Sequence, residues 1–356
     1  MGQTYNFDGH KLLYHLDRLH EYLAAGDCYP LYMELSPVGS CNHRCLFCAY
    51  DYIGHPGRRL ETRRTLEFIS ELGAQGLRSI VFAGEGEPLI HPDICEMVTH
   101  ASAAGIDCGM FSNGQLLDQR RAELLLPAMK FLRFSFNAGR AVEYAKVHQV
   151  NEAVFDKVVK NIEQAARIKR EQGLSVTLGA QLVLLPENVE TLPAAALLLR
   201  DIGLQYLVIK PFVQQSDQQF YKIGPDFNWE FLKSKLADVE ALSTPEFAVI
   251  PRHIAFDEYG KRSYEHCYGC SFITVLNSAG DLASCLPYWD RPEFVYGNIY
   301  KSSLREIWEG EQRKRVKQHL EQKLCAADCP ANCRPNAINA FLSEIKHPSV
   351  EHVNFI

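Results

Sequence analysis

From residue 31 onward, short apolar runs alternate with stretches whose apolar positions recur every three or four residues. The runs LYMELSPV, SIVFAG, DCGMFSNG, FLRFSFN, VTLGAQLVLL and YLVIKPF read as strands. Between them, ETRRTLEFISELGAQG, HPDICEMVTHASAAG, DQRRAELLLPA, VFDKVVKNIEQAARIKREQG and VETLPAAALLLRDIG read as amphipathic helices, several of them closed by glycine. Strands separated by helices predict right-handed crossovers and a parallel sheet, with functional groups collected at the C-terminal strand ends. Ahead of the first strand, Leu12, Leu13, Leu16, Leu19 and Leu23 fall on one stripe of a lead-in helix over residues 10–25. Residues 213–262 read as a polar connection with one helix, and the composition changes again at residue 263.

Composition narrows this picture. A chain of 356 residues with 47% hydrophobic and 22% charged positions has the make-up of a globular protein long enough for one large core and a smaller module. A net charge of -6 gives no global attraction to nucleic acid. No apolar run reaches the length of a signal-peptide core or a membrane span, so a cytoplasmic protein with no membrane partner is expected. Its twelve cysteines would then stay reduced, and metal binding or catalysis explains them better than disulfides.

The cysteines are not evenly spread. Cys28, Cys95 and Cys108 are scattered and read as small buried hydrophobes. Cys41, Cys45 and Cys48 lie in one loop directly after the first strand, and Cys267, Cys270, Cys285, Cys325, Cys329 and Cys333 form a second group. Three thiolates are one too few to close a tetrahedral zinc site, and only His43 could supply a fourth donor locally. An iron–sulfur cluster tolerates an open iron.

The spacing C-x3-C-x2-C after a first strand, with Phe47 just before the third cysteine, resembles the signature of the radical S-adenosylmethionine enzymes. That resemblance implies a 4Fe-4S cluster on Cys41, Cys45 and Cys48 whose fourth iron is chelated by S-adenosylmethionine. It also implies Phe47 near the adenine, and reductive cleavage of the cofactor to a 5'-deoxyadenosyl radical. The second strand ends in Gly84-Glu85-Gly86-Glu87-Pro88, similar to the family's glycine-rich segment, with Glu85 where glycine is usual. Gly86 and Glu87 are the positions carried over as cofactor-binding. Ser112, Asn113, Ser135 and Asn137 end the third and fourth strands and resemble the polar cofactor contacts of the family; Gln181 and Lys210 point to the same mouth by period two. A turn or helix cap remains the plainer reading of several of these.

Cys270 and Cys285 fit C-x9-G-x4-C, a hairpin turning near Gly280. With Cys325, Cys329 and Cys333 downstream, the order is similar to the SPASM or twitch extension that binds auxiliary 4Fe-4S clusters. The group is shorter than a full SPASM pattern, so one auxiliary cluster is the expectation, on Cys267, Cys270 and Cys285, closed by Cys329 or Cys333, and a second, with a non-cysteine ligand or an open iron, is the alternative count. A zinc ribbon is the alternative. The fold implied is α/β, a partial (β/α)6 parallel barrel with a small C-terminal cysteine-rich domain. Its divisions are an N-terminal helix at 1–30, barrel at 31–215, connection at 216–262, auxiliary-cluster domain at 263–345 and tail at 346–356.

The chemistry implied is hydrogen-atom abstraction, followed by oxidation through the auxiliary cluster, with a one-electron reductant such as flavodoxin or ferredoxin as partner. Only about thirty residues precede the first strand, where peptide-modifying relatives often carry a larger domain. A small polar substrate, such as a sugar, aminocyclitol or nucleotide-linked metabolite, is therefore expected. Peptide or protein side-chain modification and epimerisation are the alternatives, and a non-catalytic iron–sulfur or zinc protein is the alternative of another class. The sequence does not single out the residue that donates or accepts the hydrogen or proton.

Overall fold

The computed structural model describes residues 9–213, 221–222, 229–257, 260–331 and 333–355. Six parallel strands follow the predicted runs: β1 (Tyr32–Leu35), β2 (Ser79–Phe82), β3 (Asp107–Ser112), β4 (Met129–Ser135), β5 (Thr177–Leu184) and β6 (Tyr206–Pro211). A seventh, β7 (Ala248–Pro251), pairs in parallel with β6 inside the segment read as connection. Four residues are too few to show a period. Most of the polar stretch 214–228 lies outside the described residues.

The helices are α1 (Leu16–Ala25), α2 (Thr62–Ala74), α3 (Ile94–Ala103), α4 (Gln119–Leu125), α5 (Ala141–His148), α6 (Ala153–Glu171), α7 (Leu192–Ile202) and α8 (Trp229–Glu240). There follow α9 (His253–Asp257), α10 (Leu304–Trp308), α11 (Glu311–Gln322) and α12 (Asn336–Lys346). Burial follows the helical period: Thr65, Phe68, Ile69 and Leu72 of α2 face the sheet, and the Glu61 carboxylate caps the helix by accepting from the Arg63 and Arg64 amides. The lead-in helix is shorter than expected. His15, at φ −134° and ψ 51°, breaks it after a single 3₁₀ turn. The break shifts the phase, so Leu12, Leu19 and Tyr22 are buried while Leu13, Leu16 and Leu23 are exposed.

The second cysteine-rich segment is not a separate layer. Its strands β8 (Ile273–Leu276), β9 (Asp281–Ala283) and β10 (Val295–Asn298) extend the same sheet, in the order β10-β9-β8-β1-β2-β3-β4-β5-β6-β7. β8 lies parallel to β1, with Tyr32 opposite Ile273 and Leu35 opposite Leu276. The parallel strands thus form an open partial barrel, and the edge of β1 is taken by the C-terminal region. β8 and β9 make the predicted hairpin, where Gly280 sits at φ +85°, a conformation that a side chain would strain. Among the described residues, no helix is long and apolar enough to cross a membrane.

Because side chains alternate along a strand, one set faces into the barrel. Glu34 of β1, Arg133 and Ser135 of β4, Gln181 of β5 and Lys210 of β6 all belong to it and line one cavity. The outward set, including Met33, Leu35, Ile80, Phe82, Leu132 and Phe134, is fully buried under the helices.

Candidate functional site

The three-cysteine loop is strapped to a helix that the sequence reading missed. The Arg44 amide donates to the carbonyl of His148 at 3.1 Å, and the Leu46 amide donates to that of Val147 at 2.9 Å. These are carbonyls that the end of α5 leaves without helical partners. The His148 ring stacks on Tyr144 with centroids 4.1 Å apart and brings Nδ1 to 3.2 Å from the Cys45 sulfur. Burial, reinforced by His43, pushes the basicity of His148 well down. Spacing carried a signal for this pair: Tyr144 and His148 stand four residues apart, on one face of α5.

Gly86 presses against the same loop. A β-carbon there would lie 2.1 Å from the Ser40 carbonyl oxygen, so glycine alone fits. Glu87 is fully enclosed and accepts from the Ser112 hydroxyl (2.7 Å), the Asn113 amide (2.7 Å) and the Leu89 amide (3.1 Å). Burial raises its pKa against the pull of those hydrogen bonds. The Asn113 side chain donates to Asn42 at 2.7 Å, and the Asn42 side chain donates to Gln115 at 2.8 Å, which joins the end of β3 to the cysteine loop. Glu85 has a different job from the glycine usual at its position. It is buried, pairs with Arg58 at 3.1 Å and accepts from Ser278 of the β8–β9 turn, cross-linking the two cysteine-bearing regions.

Of the positions named from sequence, Phe47, Gly86, Glu87, Ser112, Asn113, Ser135, Gln181 and Lys210 all border the cavity. Asn137 does not. It is buried, accepts from the Val183 amide at 2.7 Å and sets its side-chain nitrogen 3.3 Å from His148 Nε2, behind the cysteine loop. The second cysteine group divides in the same way. Cys267, Cys270, Cys285, Cys329 and Cys333 border the cavity, whereas Cys325 is exposed and stands apart from it. Asn339 of α12 accepts from the Tyr268 and Gly269 amides at 2.9 and 2.7 Å and sets its side-chain nitrogen 3.5 Å from the Cys267 sulfur.

One cavity of about 470 Å³ is therefore shared by both groups. Burial pushes the Cys41 thiol up to about 12 and the Cys48 thiol up to about 11. A metal partner would ionise such thiols. A single zinc ion with bonds of about 2.0–2.3 Å would draw its donors within about 4 Å of one another. Among the described residues, the one trio brought within 4.8 Å is His43, Cys45 and His148, which excludes Cys41 and Cys48. His43 is also engaged elsewhere, with Nε2 at 2.8 Å from the Gln115 side-chain oxygen. Thiols spaced around a shared cavity fit the corners of a cluster better than one ion.

Comparison with known proteins agrees. Residues 35–199 match the Radical SAM superfamily and residues 256–333 match SPASM, an iron–sulfur cluster-binding domain. The chain belongs to the radical SAM enzymes and carries a SPASM auxiliary domain, with S-adenosylmethionine and 4Fe-4S clusters as cofactors.

Its relatives act on different substrates. The chain is 27% identical over 309 residues to a GTP 3',8-cyclase of Chlorobaculum tepidum, covering 82% of this chain and 88% of that one. To a PqqA peptide cyclase of Gluconobacter oxydans it is 24% identical over 287 residues, covering 77% and 76%. In fold it is similar to Streptococcus suis SuiB bound to S-adenosylmethionine, with a TM-score of 0.65 at 14% identity over 84% of this chain and 70% of that one.

Proposed function

We propose that the chain removes a hydrogen atom from a peptide or protein side chain and completes a two-electron oxidation of it. The observation that carries this reading is the single cavity bordered by both cysteine groups. Cys41, Cys45 and Cys48 would hold the cluster with the open iron, where bound S-adenosylmethionine supplies the hydrogen-abstracting radical. Cys267, Cys270 and Cys285, with Cys329 or Cys333, would hold an auxiliary cluster bordering the same cavity, which would accept the second electron while the accompanying proton leaves to water or a base.

The chain's own residues set the geometry. Gly86 lets the backbone of its segment approach the cysteine loop, and Glu87 orients Ser112 and Asn113. Phe47 packs beside His148, with ring centroids 5.9 Å apart, and forms an apolar wall with Val183 and Phe212. Ser135 and Gln181 supply polar atoms to the cavity wall.

A peptide substrate is supported by the PqqA peptide cyclase relative and by the likeness in fold to SuiB, which is also known bound to its precursor peptide SuiA. This moves the reading away from the small metabolite expected from the short segment before β1. A small polar metabolite is the second reading, and the GTP 3',8-cyclase relative favours it. Reconstituted enzyme with S-adenosylmethionine and dithionite is to be given peptides encoded by genes adjacent to its own, and separately GTP and nucleotide sugars. Stimulated 5'-deoxyadenosine formation with loss of two hydrogens from a peptide supports the first reading. Stimulation by the nucleotides alone replaces it with the second.

A further inference from the structure

The inside of the barrel holds more positive charge than the proposed chemistry uses. Arg133, Lys210, Arg252 and Arg334 border the cavity together with one carboxylate on the same stretch of wall, Glu34. Glu34 already has its partner: its Oε2 lies 2.7 Å from Arg334 and also accepts from the Tyr32 hydroxyl at 3.2 Å. The two other carboxylates of the cavity are engaged as well, Glu85 with Arg58 and Glu87 with Ser112 and Asn113.

Arg133 and Lys210 are left over. Among the described residues neither has an ion-pair partner and no acceptor is hydrogen-bonded to Lys210 Nζ; the Arg133 guanidinium lies over the Phe111 ring at 3.8 Å. Cations inside a protein cost several kcal/mol when unpaired, and they persist where a ligand supplies the counter-charge. We propose that Arg133 and Lys210 form a subsite for an anionic group of the substrate, a carboxylate or a phosphate, with Arg252 at its edge.

Two other uses of the pair are less consistent with the surroundings. As counter-ions for the clusters they would stand against the cysteines. Arg334, next to Cys333 in the chain, does feel a thiol, but the groups that act most strongly on Lys210 are Arg133, Arg252, Arg334 and Glu34, and those that act most strongly on Arg133 are Tyr206, Arg334, Tyr32 and Glu34. As a clamp for the carboxylate of S-adenosylmethionine, Arg133 is badly placed. In the register of the sheet it sits opposite Gly179, one inward-facing position below the Ser135 and Gln181 layer. Burial and the neighbouring cations bring Lys210 down to about 7, so an arriving anion meets a lysine ready to take up a proton.

The inference rests on the reading that substrate enters this cavity, and it is tested without turnover. Holoprotein with both clusters and S-adenosylmethionine, and no reductant, is titrated calorimetrically with inorganic phosphate and with glutarate up to about 50 mM at pH 6.5. One saturable site is expected, weakened about ten-fold in Lys210→Met and in Arg133→Gln, as for loss of one charge-assisted hydrogen bond. The exposed control Lys130→Met should bind as wild type, and iron content and S-adenosylmethionine affinity should hold in all three. Tighter binding of phosphate assigns a phosphorylated substrate; tighter binding of glutarate assigns an acidic side chain or terminal carboxylate. Absence of saturation by either anion, or wild-type anion affinity in both variants, overturns the subsite. So does loss of S-adenosylmethionine affinity in its place, which would give the cations to the cofactor.

Discussion

Glu34 on β1 pairs at 2.7 Å with Arg334, the residue that follows the last cysteine of the second group. The pair spans 300 residues of sequence and ties the barrel wall to the auxiliary domain beside its cysteines. Removing the arginine strands a carboxylate whose side chain is 4% exposed, whereas Arg334 itself is 39% exposed. Arg334→Met should therefore cost about 2 kcal/mol, less than a fully enclosed pair, and Glu34→Gln, which leaves Arg133, Lys210, Arg252 and Arg334 with no carboxylate on their stretch of wall, should cost at least as much. Anaerobic thermal denaturation of the iron-loaded protein checks the order. Equal melting temperatures for the two variants and wild type would contradict it.

Cluster content separates the cysteines. Cys325 is exposed and apart from the cavity, so Cys325→Ser should keep the wild-type iron, about eight atoms per chain for two 4Fe-4S clusters. Cys285→Ala should keep only about four. Iron and sulfide analysis after reconstitution measures both, and loss of iron in Cys325→Ser would move the ligand set.

Gly86→Ala tests the seat of the first cluster. Its new β-carbon would meet backbone, not a side chain that could turn aside. The cysteine loop must shift, and S-adenosylmethionine should no longer perturb the electron paramagnetic resonance signal of the reduced cluster. The auxiliary signal should persist. A normal perturbation in this variant would show that the close approach is unnecessary.

The lysine of the anion subsite makes binding depend on pH. Facing Lys210 are Arg133 on β4, Arg252 after β7, Arg334 after the last cysteine, and Glu34 on β1. Burial and the three arginines lower its pKa to about 7, with Glu34 opposing them. Protonated below that value and neutral above it, Lys210 should hold an anion of constant charge, such as sulfate, several-fold more tightly at pH 6 than at pH 8.5. The slope should vanish in Lys210→Met. An unchanged slope would assign the titration to another group.

Much of this was legible in the chain, and the remainder has physical reasons for being hidden. Strands β1 to β6 and the helices α2, α3, α4, α6 and α7 announce themselves by apolar period and glycine stops. The cysteine loop is local, and so is readable as a string. The helix α5 spans only Ala141–His148, with its polar and apolar positions weakly segregated, yet it supplies the carbonyls that hold the cysteine loop. Pairing of β8 with β1 joins residues more than two hundred apart, and nothing in either strand specifies that partner. Arg133 stands inside the run FLRFSFN, where a charge in an apolar strand has no meaning until Lys210 and Arg334 are seen to share its cavity.

The most direct measurement is 5'-deoxyadenosine release from S-adenosylmethionine by anaerobically reconstituted, dithionite-reduced protein, beside Cys45→Ala treated identically. The account predicts release by the wild type and none by the variant, with auxiliary iron retained in both. Release that survives Cys45→Ala, or a fully iron-loaded wild type that cleaves no cofactor, would contradict it.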